Sequence, residues 1–278
     1  MKLHTINTGF FKLDGGAMFG VVPKSLWQKL NPPDANNLCT WAMRCLLVED
    51  GDTLILIDNG IGDKQDPKFL SHYYLHGDDS LLKSIKTAGF SPSHVTDMFL
   101  THLHFDHCGG GVKSVEGKHE LTFPKATYWS NEEHWKWATE PNAREKASFL
   151  KENILPMQAS GQLKMTERTK ASPLRQFEIE YVSGHTDKMM IPMIPYKGTT
   201  LCYMADLIPS TGHVPIPYVM GYDTRPLLTI EEKEKFLQTA ADKNYVLFFE
   251  HDPVHECCTV KHTEKGVRVD RTFSLSEW

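Results

Sequence analysis

No stretch of the chain reaches the roughly 20 consecutive apolar residues that cross a bilayer. The opening segment is broken by His4, Thr5, Asn7 and Thr8 before an apolar run of signal-peptide length can form. Neither a membrane role nor a secretory leader is expected. Cysteine is sparse: Cys39, Cys45, Cys108, Cys202, Cys257 and Cys258 form neither a dense framework nor a CxxC pair. That usage points to a reduced, cytoplasmic protein. Basic residues do not cluster, and 30 Lys and Arg stand against 35 Asp and Glu for a net charge of -5, so no nucleic-acid surface is declared. The sequence also lacks a G-x-S-x-G elbow and a P-loop, which removes the commonest serine-nucleophile and nucleotide-binding signatures. Fixed-period repeats, linkers and low-complexity runs are missing too.

What remains is a globular chain. With 278 residues and 40% of them hydrophobic, it can bury a large core, and one domain over 1–278 with two sheets is the most economical reading. Residues 39–48 and 53–57 are rich in strand formers around Glu49-Asp50-Gly51-Asp52, a hairpin signal. The second of these runs exits at Asp58-Asn59-Gly60. Residues 78–88 read as a helix capped by Asp79 or Ser80 and stopped by Gly89. Strand character returns at 175–182, 199–204 and 245–249, and residues 230–243 are amphipathic and helical. A helical insertion is expected at about 131–155, interrupted by Pro141 and flanked or occupied by Trp129, Trp135 and Trp137. It can serve as a lid or pocket wall, or simply as aromatic core.

The densest chemistry lies in Thr101-His102-Leu103-His104-Phe105-Asp106-His107-Cys108-Gly109-Gly110, where four metal-capable side chains fall within six residues. Val95, Met98, Phe99 and Leu100 lead into it as a buried strand. If the chain is locally extended, His102 and His104 share one side, whereas the adjacent Asp106 and His107 need a turn and address a second point. His185, Asp206 and His251 each follow an expected strand, and strand tips can meet in space while far apart in sequence. Two ions sharing a carboxylate are the natural outcome.

This pattern resembles the metallo-β-lactamase superfamily, whose signature is His-x-His-x-Asp-His followed downstream by His, Asp and His. The match runs from about residue 39 to 252, and it includes Asp58 at the end of an early strand. The resemblance implies an α+β fold: a four-layer αββα sandwich of two mixed β-sheets flanked by helices, with the site along one edge. It further implies that His102, His104 and His185 hold one ion and Asp106, His107 and His251 the other, with Asp206 bridging. Asp58 then accepts a hydrogen bond that fixes a ligand histidine's tautomer. Zinc is the default ion, with Mn, Fe or Co as alternatives. A homodimer is implied by the family branch.

A metal-bridging hydroxide acting on a carboxylic ester or lactone is the favoured chemistry. Asp106 could orient the nucleophile or pass a proton to the leaving group. Phosphotriester or phosphodiester hydrolysis is the nearest alternative, and a non-catalytic, metal-stabilised binding protein is the alternative of another class. The segment 14–28 resembles the N-terminal loop of the lactonase and organophosphate-hydrolase branch. Its Met18, Phe19, Val22 and Trp27, with Tyr218 and Tyr222, are candidate pocket residues for a small-molecule substrate, and His213 is a candidate catalytic contact. One departure stands out. Homoserine lactonases of the family place a tyrosine three residues after the bridging aspartate, where this chain has Pro209; Tyr218, Tyr222 or His213 could substitute. His104 argues against the oxygen-reducing di-iron branch, and the short interval from His107 to His185 against the nuclease branches.

Overall fold

The computed structural model describes residues 1–166 and 177–278. These form two compact units. One comprises residues 1–9, 43–72 and 76 onward through the first described stretch; the other comprises residues 10–42, 73–75 and 177 onward. In chain order the strands are β1 (Lys2–Asp14), β2 (Leu38–Asp50), β3 (Thr53–Ile57), β4 (Asp97–Phe99), β5 (Val112–Val115), β6 (Lys118–Leu121), β7 (Thr127–Ser130) and β8 (Leu163–Met165), then β9 (Glu178–Val182), β10 (Met189–Tyr196), β11 (Thr199–Tyr203), β12 (Val246–Phe248), β13 (Cys257–Thr263) and β14 (Gly266–Phe273). Two six-stranded sheets result, ordered β1-β2-β3-β4-β7-β8 and β14-β13-β12-β11-β10-β9, with β5 and β6 as a separate hairpin. Both sheets mix parallel and antiparallel pairs and are accompanied by helices, so the class is the expected α+β one with two mixed sheets.

In the first unit β3, β4 and β7 run parallel, with Ile57 opposite Phe99 and Phe99 opposite Trp129. All but their Thr53 and Thr127 ends are buried, as suits parallel strands covered on both faces rather than half-solvated. Cys45, Leu47, Leu56, Met98, Leu100 and Tyr128 pack with Ile6, Ile85 and Met157 into this unit's core. Parallel strands also bring their C-terminal ends to one edge, which sets Asp58 beside Thr101. In the second unit β11 and β12 pair in parallel, a connection that needs a long crossover. The helix Pro226–Asp242 supplies it, with proline at its first turn where no amide hydrogen is needed.

The hairpin at β2 and β3, the strand at β11 and the Ser80-capped helix Leu81–Thr87 follow the sequence expectation closely. The crossover helix begins four residues earlier than its amphipathic stretch suggested. In the insertion, helices Glu132–Thr139 and Lys151–Ala159 flank the Pro141 break. The expected strand at 175–182 is observed as Glu178–Val182; residues 175 and 176 lie outside the described residues. Features not read from the sequence include the 13-residue β1, the apolar β10, the β5–β6 and β13–β14 hairpins, β7, β8, and two short helices inside the 14–28 loop, Gly15–Phe19 and Lys24–Trp27. All six cysteines are free and buried. Among the described residues no helix is long and apolar enough to cross a membrane.

Candidate metal centre

In the first unit the histidine motif leaves β4 as an extended tip and then turns through the short helix Phe105–Cys108. Asp58, just past the neighbouring strand, adopts φ 55°, a left-handed conformation rare for a residue with a side chain. Its buried carboxylate receives the Thr101 backbone N–H at 2.8 Å, the Thr101 hydroxyl at 2.6 Å and His107 Nδ1 at 3.0 Å. The protons can then be followed. A carboxylate only accepts, so Thr101 spends its single hydroxyl proton on Asp58 and must accept at its other side. His102 Nδ1, 3.1 Å from that oxygen, is therefore the donor, which leaves a lone pair on His102 Nε2. By the same logic His107 donates through Nδ1 and keeps a lone pair on Nε2.

His102 Nε2 faces His104 Nδ1 at 3.1 Å. Two ligand nitrogens on one tetrahedral zinc, each at roughly 2.0–2.1 Å, sit roughly 3.3 Å apart. The spacing is that of co-ligands. Asp106 and His107 form a second pair on the helical turn, with Asp106 Oδ2 3.9 Å from His107 Nε2. The turn is pressed against residues 59–61: Asn59 N–H donates to His107 O at 2.9 Å, and a Cβ on Gly109 or Gly110 would strike the Ile61 or Asn59 carbonyl. Glycine is required there by close approach rather than by backbone angle.

In the second unit Asp206 follows Ala205, another left-handed residue at φ 42°. Its two carboxylate oxygens face two imidazoles, Oδ2 at 3.0 Å from His185 Nε2 and Oδ1 at 3.1 Å from His251 Nε2. Each imidazole is anchored from behind. His185 Nδ1 lies 2.9 Å from Asp223 Oδ1, and His251 Nδ1 donates to Ala42 O at 2.8 Å. The His185 turn is itself fixed, because Ser183 and Gly184 amides donate to Glu232 at 2.7 and 2.9 Å and Gly184 abuts Thr229 too closely for a Cβ. Burial lowers the His185 pKa, but Asp206 and Asp223 outweigh it and push it up to about 10. A cation is wanted beside Nε2, and a metal ion supplies charge there in place of the proton. The donor chemistry therefore fits divalent ions in both units. Two pairs in the first and a carboxylate shared by two imidazoles in the second fit a dinuclear arrangement.

The other candidate residues also lie in the second unit. Met18, Phe19 and Trp27 are almost fully buried, Val22 and Tyr218 are half-buried, and Tyr222 is 42% exposed. Phe19 stacks between Trp27, at 5.3 Å, and His213, at 4.5 Å, with Tyr218 edge-on at 6.3 Å. Both ring nitrogens of His213 are engaged, Nδ1 with Ser210 Oγ and Nε2 with Met18 O, each at 2.8 Å. At position 209, where family lactonases carry tyrosine, the Pro209 carbonyl accepts the His251 N–H at 3.2 Å. Three buried polar residues around the donors escaped the sequence reading: Asp223, Glu145 and His134. Asp223 had one available signal, its place in a turn just before the Pro226 helix. Neither Glu145 nor His134 shares a motif with the ligands they approach.

Fold and donors together define a metal-dependent hydrolase. The model of the metallo-beta-lactamase superfamily matches residues 44–251, and the chain belongs to that superfamily. Among solved structures it is similar to a probable metal-dependent hydrolase from Staphylococcus aureus, at 27% identity and TM-score 0.87 over 98% of this chain and 96% of that one. It is also similar in fold to AidC, a dizinc quorum-quenching lactonase solved with a homoserine product, at 24% identity and TM-score 0.80 over 99% and 97%. A third likeness in fold is to the hydrolase AbOPH, at 21% identity and TM-score 0.78 over 98% and 94%. No curated protein gives a significant match in sequence.

Proposed function

We propose that this protein hydrolyses a carboxylic ester or lactone of a small molecule with two divalent ions, zinc by default. His102, His104 and His185 hold one ion, Asp106, His107 and His251 the other, and Asp206 is common to both. The observation that carries the reading is Asp206, whose separate oxygens each meet a different imidazole nitrogen within one unit. When bound, such ions polarise the acyl oxygen and make water nucleophilic near neutral pH. The chain's own part is orientation and proton handling. Asp58 and Asp223 face Nδ1 of His107 and His185, so that Nε2 is the nitrogen each would offer an ion, the ion taking the place of any proton there, and Asp106 would orient the attacking water. Val22, Tyr218 and Tyr222 keep exposed surface for substrate, while Met18, Phe19, Trp27 and His213 form a packed layer behind them. With Pro209 in place of a tyrosine, Tyr218 or Tyr222 steadies the opened ester. The lactone assignment is in keeping with the likeness in fold to a dizinc lactonase, and phosphotriester or phosphodiester hydrolysis is the nearest alternative.

The test is turnover of short- and long-chain acyl lactones, aryl esters and phosphotriesters by zinc-loaded protein, by chelator-treated protein and by His104→Ala and Asp106→Asn. Lactones or esters should be cleaved, and each treatment should reduce kcat at least 100-fold. Cleavage of phosphotriesters alone would redirect the substrate assignment. A protein that gains thermal stability from zinc yet cleaves nothing would be a binding protein instead.

A further inference from the structure

The insertion over 131–155 is gripped to the histidine motif at successive residues. Leu103, between the two candidate ligands, donates its N–H to His134 Nε2 at 2.9 Å, and Phe105 donates its N–H to Ser148 O at 3.0 Å. Phe149 packs its ring 4.8 Å from that of His104. Glu145, 3% exposed, comes closest to the chemistry: its Oε1 stands 3.5 Å from His104 Nε2. Its other oxygen, Oε2, receives Trp137 Nε1–H and Asn142 Nδ2–H, both at 2.7 Å. The carboxylate is thus oriented with one oxygen committed and the other at the outer limit of hydrogen-bond reach from His104, close enough to accept from it after a small shift. An acceptor at that position selects the imidazole with hydrogen on Nε2 and a lone pair on Nδ1. Nδ1 is the nitrogen that faces His102.

We propose that Glu145 is a positioning residue that fixes the tautomer of His104 so that Nδ1 can bind metal, and that the insertion is a buttress for the motif. The inference deepens the metal-dependent reading above and rests on it for its meaning in catalysis, although the tautomer itself does not depend on any ion.

Glu145→Gln is the informative variant because it is nearly isosteric. Trp137 and Asn142 donate to one end of the side chain and so claim the carboxamide oxygen. The amide NH2 then turns toward His104 Nε2, which must accept, and the ring proton moves to Nδ1. Glu145→Ala removes the carboxylate but imposes no opposite tautomer. Nitrogen-15 NMR of His104 in metal-free protein at pH 8 should show Nε2–H in the wild type and Nδ1–H in the Gln variant. Zinc titration against a competing chelator should rank wild type above Ala and Ala above Gln, with the Gln variant losing about 10–100-fold at one of two sites. A merely structural role predicts the reverse order, since Ala opens a cavity and Gln does not.

An Nδ1–H tautomer in the wild type, or zinc binding by the Gln variant as tight as that of the Ala variant, overturns the proposal. Should the Gln variant fail to fold, the wild-type tautomer and the Ala titration still decide: Nε2–H with weakened zinc supports it, unchanged zinc refutes it. The two readings fail separately. A wild type that holds no zinc but carries Nε2–H on His104 sinks the metallohydrolase and keeps the positioning role; a zinc-dependent lactonase indifferent to Glu145→Gln does the opposite.

Discussion

Asp223 illustrates how much of the candidate centre is carried by residues that touch no ion. Its Oδ1 meets His185 Nδ1 at 2.9 Å while Oδ2 receives the Met220 N–H at 3.2 Å. In Asp223→Asn the carboxamide oxygen stays with Met220, and the NH2 confronts His185, which must then accept at Nδ1 and carry its proton on Nε2. Zinc affinity should drop by about 10–100-fold, the usual cost of losing such a partner. Dialysis against graded chelator followed by elemental analysis measures it, and wild-type retention by the variant would count against the assigned tautomer. The candidate ligands themselves were legible because four of them share one short motif and the rest follow strands. Asp223, Glu145 and His134 were not, because each acts on a group far away in sequence, the first two on one nitrogen of a distant ring and His134 on the Leu103 backbone N–H, and no local spacing encodes that. Asp58 was legible only through its family counterpart. Its conformation and its three donors belong to the folded state alone.

Most elements with strong apolar patterning were found, with ends shifted by up to four residues, and those shaped by partners were not. The crossover helix and the parallel strands β3, β4, β11 and β12 announced themselves through apolar patterning, whereas the two short helices within 14–28 depend on an Asp14 cap and on packing against the segment 210–218. That segment is clamped from two sides. Lys233, fully buried, donates to the carbonyls of His213, Pro215 and Tyr218 at 3.1, 3.1 and 2.8 Å. His213 ties it to Met18 from the other side. Burial drives the His213 pKa down to about 3 from an ordinary 6.5. The unfolded chain therefore takes up this proton first as pH falls. The stabilising contribution of neutral His213 is fully present above about pH 6.5 and is lost progressively toward pH 3. Chemical denaturation of wild type and His213→Gln at several pH values checks this: the stability gap should narrow as pH drops from 6.5 toward 4. A gap independent of pH would mean that the ring does not titrate as burial demands.

At the scale of the whole chain, each unit has its own apolar core, yet each supplies only part of the proposed ligand set. The first gives His102, His104, Asp106 and His107, and the second His185, Asp206 and His251. Metal should therefore act on the native fold as a linked ligand rather than as a surface accessory. An unfolded chain has these donors scattered over some 150 positions of sequence and binds ions weakly, so native-state binding shifts the folding equilibrium by mass action. Raising free zinc to about 100 times its dissociation constant should add about 2.7 kcal/mol for each site, and stripping the ions should remove it. Thermal melts at buffered zinc concentrations report the effect as a Tm that climbs with the logarithm of free metal. His185→Ala and His251→Ala, which draw on one unit, should each flatten that slope as much as His102→Ala and His107→Ala, which draw on the other. If substitutions in only one unit change the slope, the ions are held by that unit alone and Asp206 does not serve both.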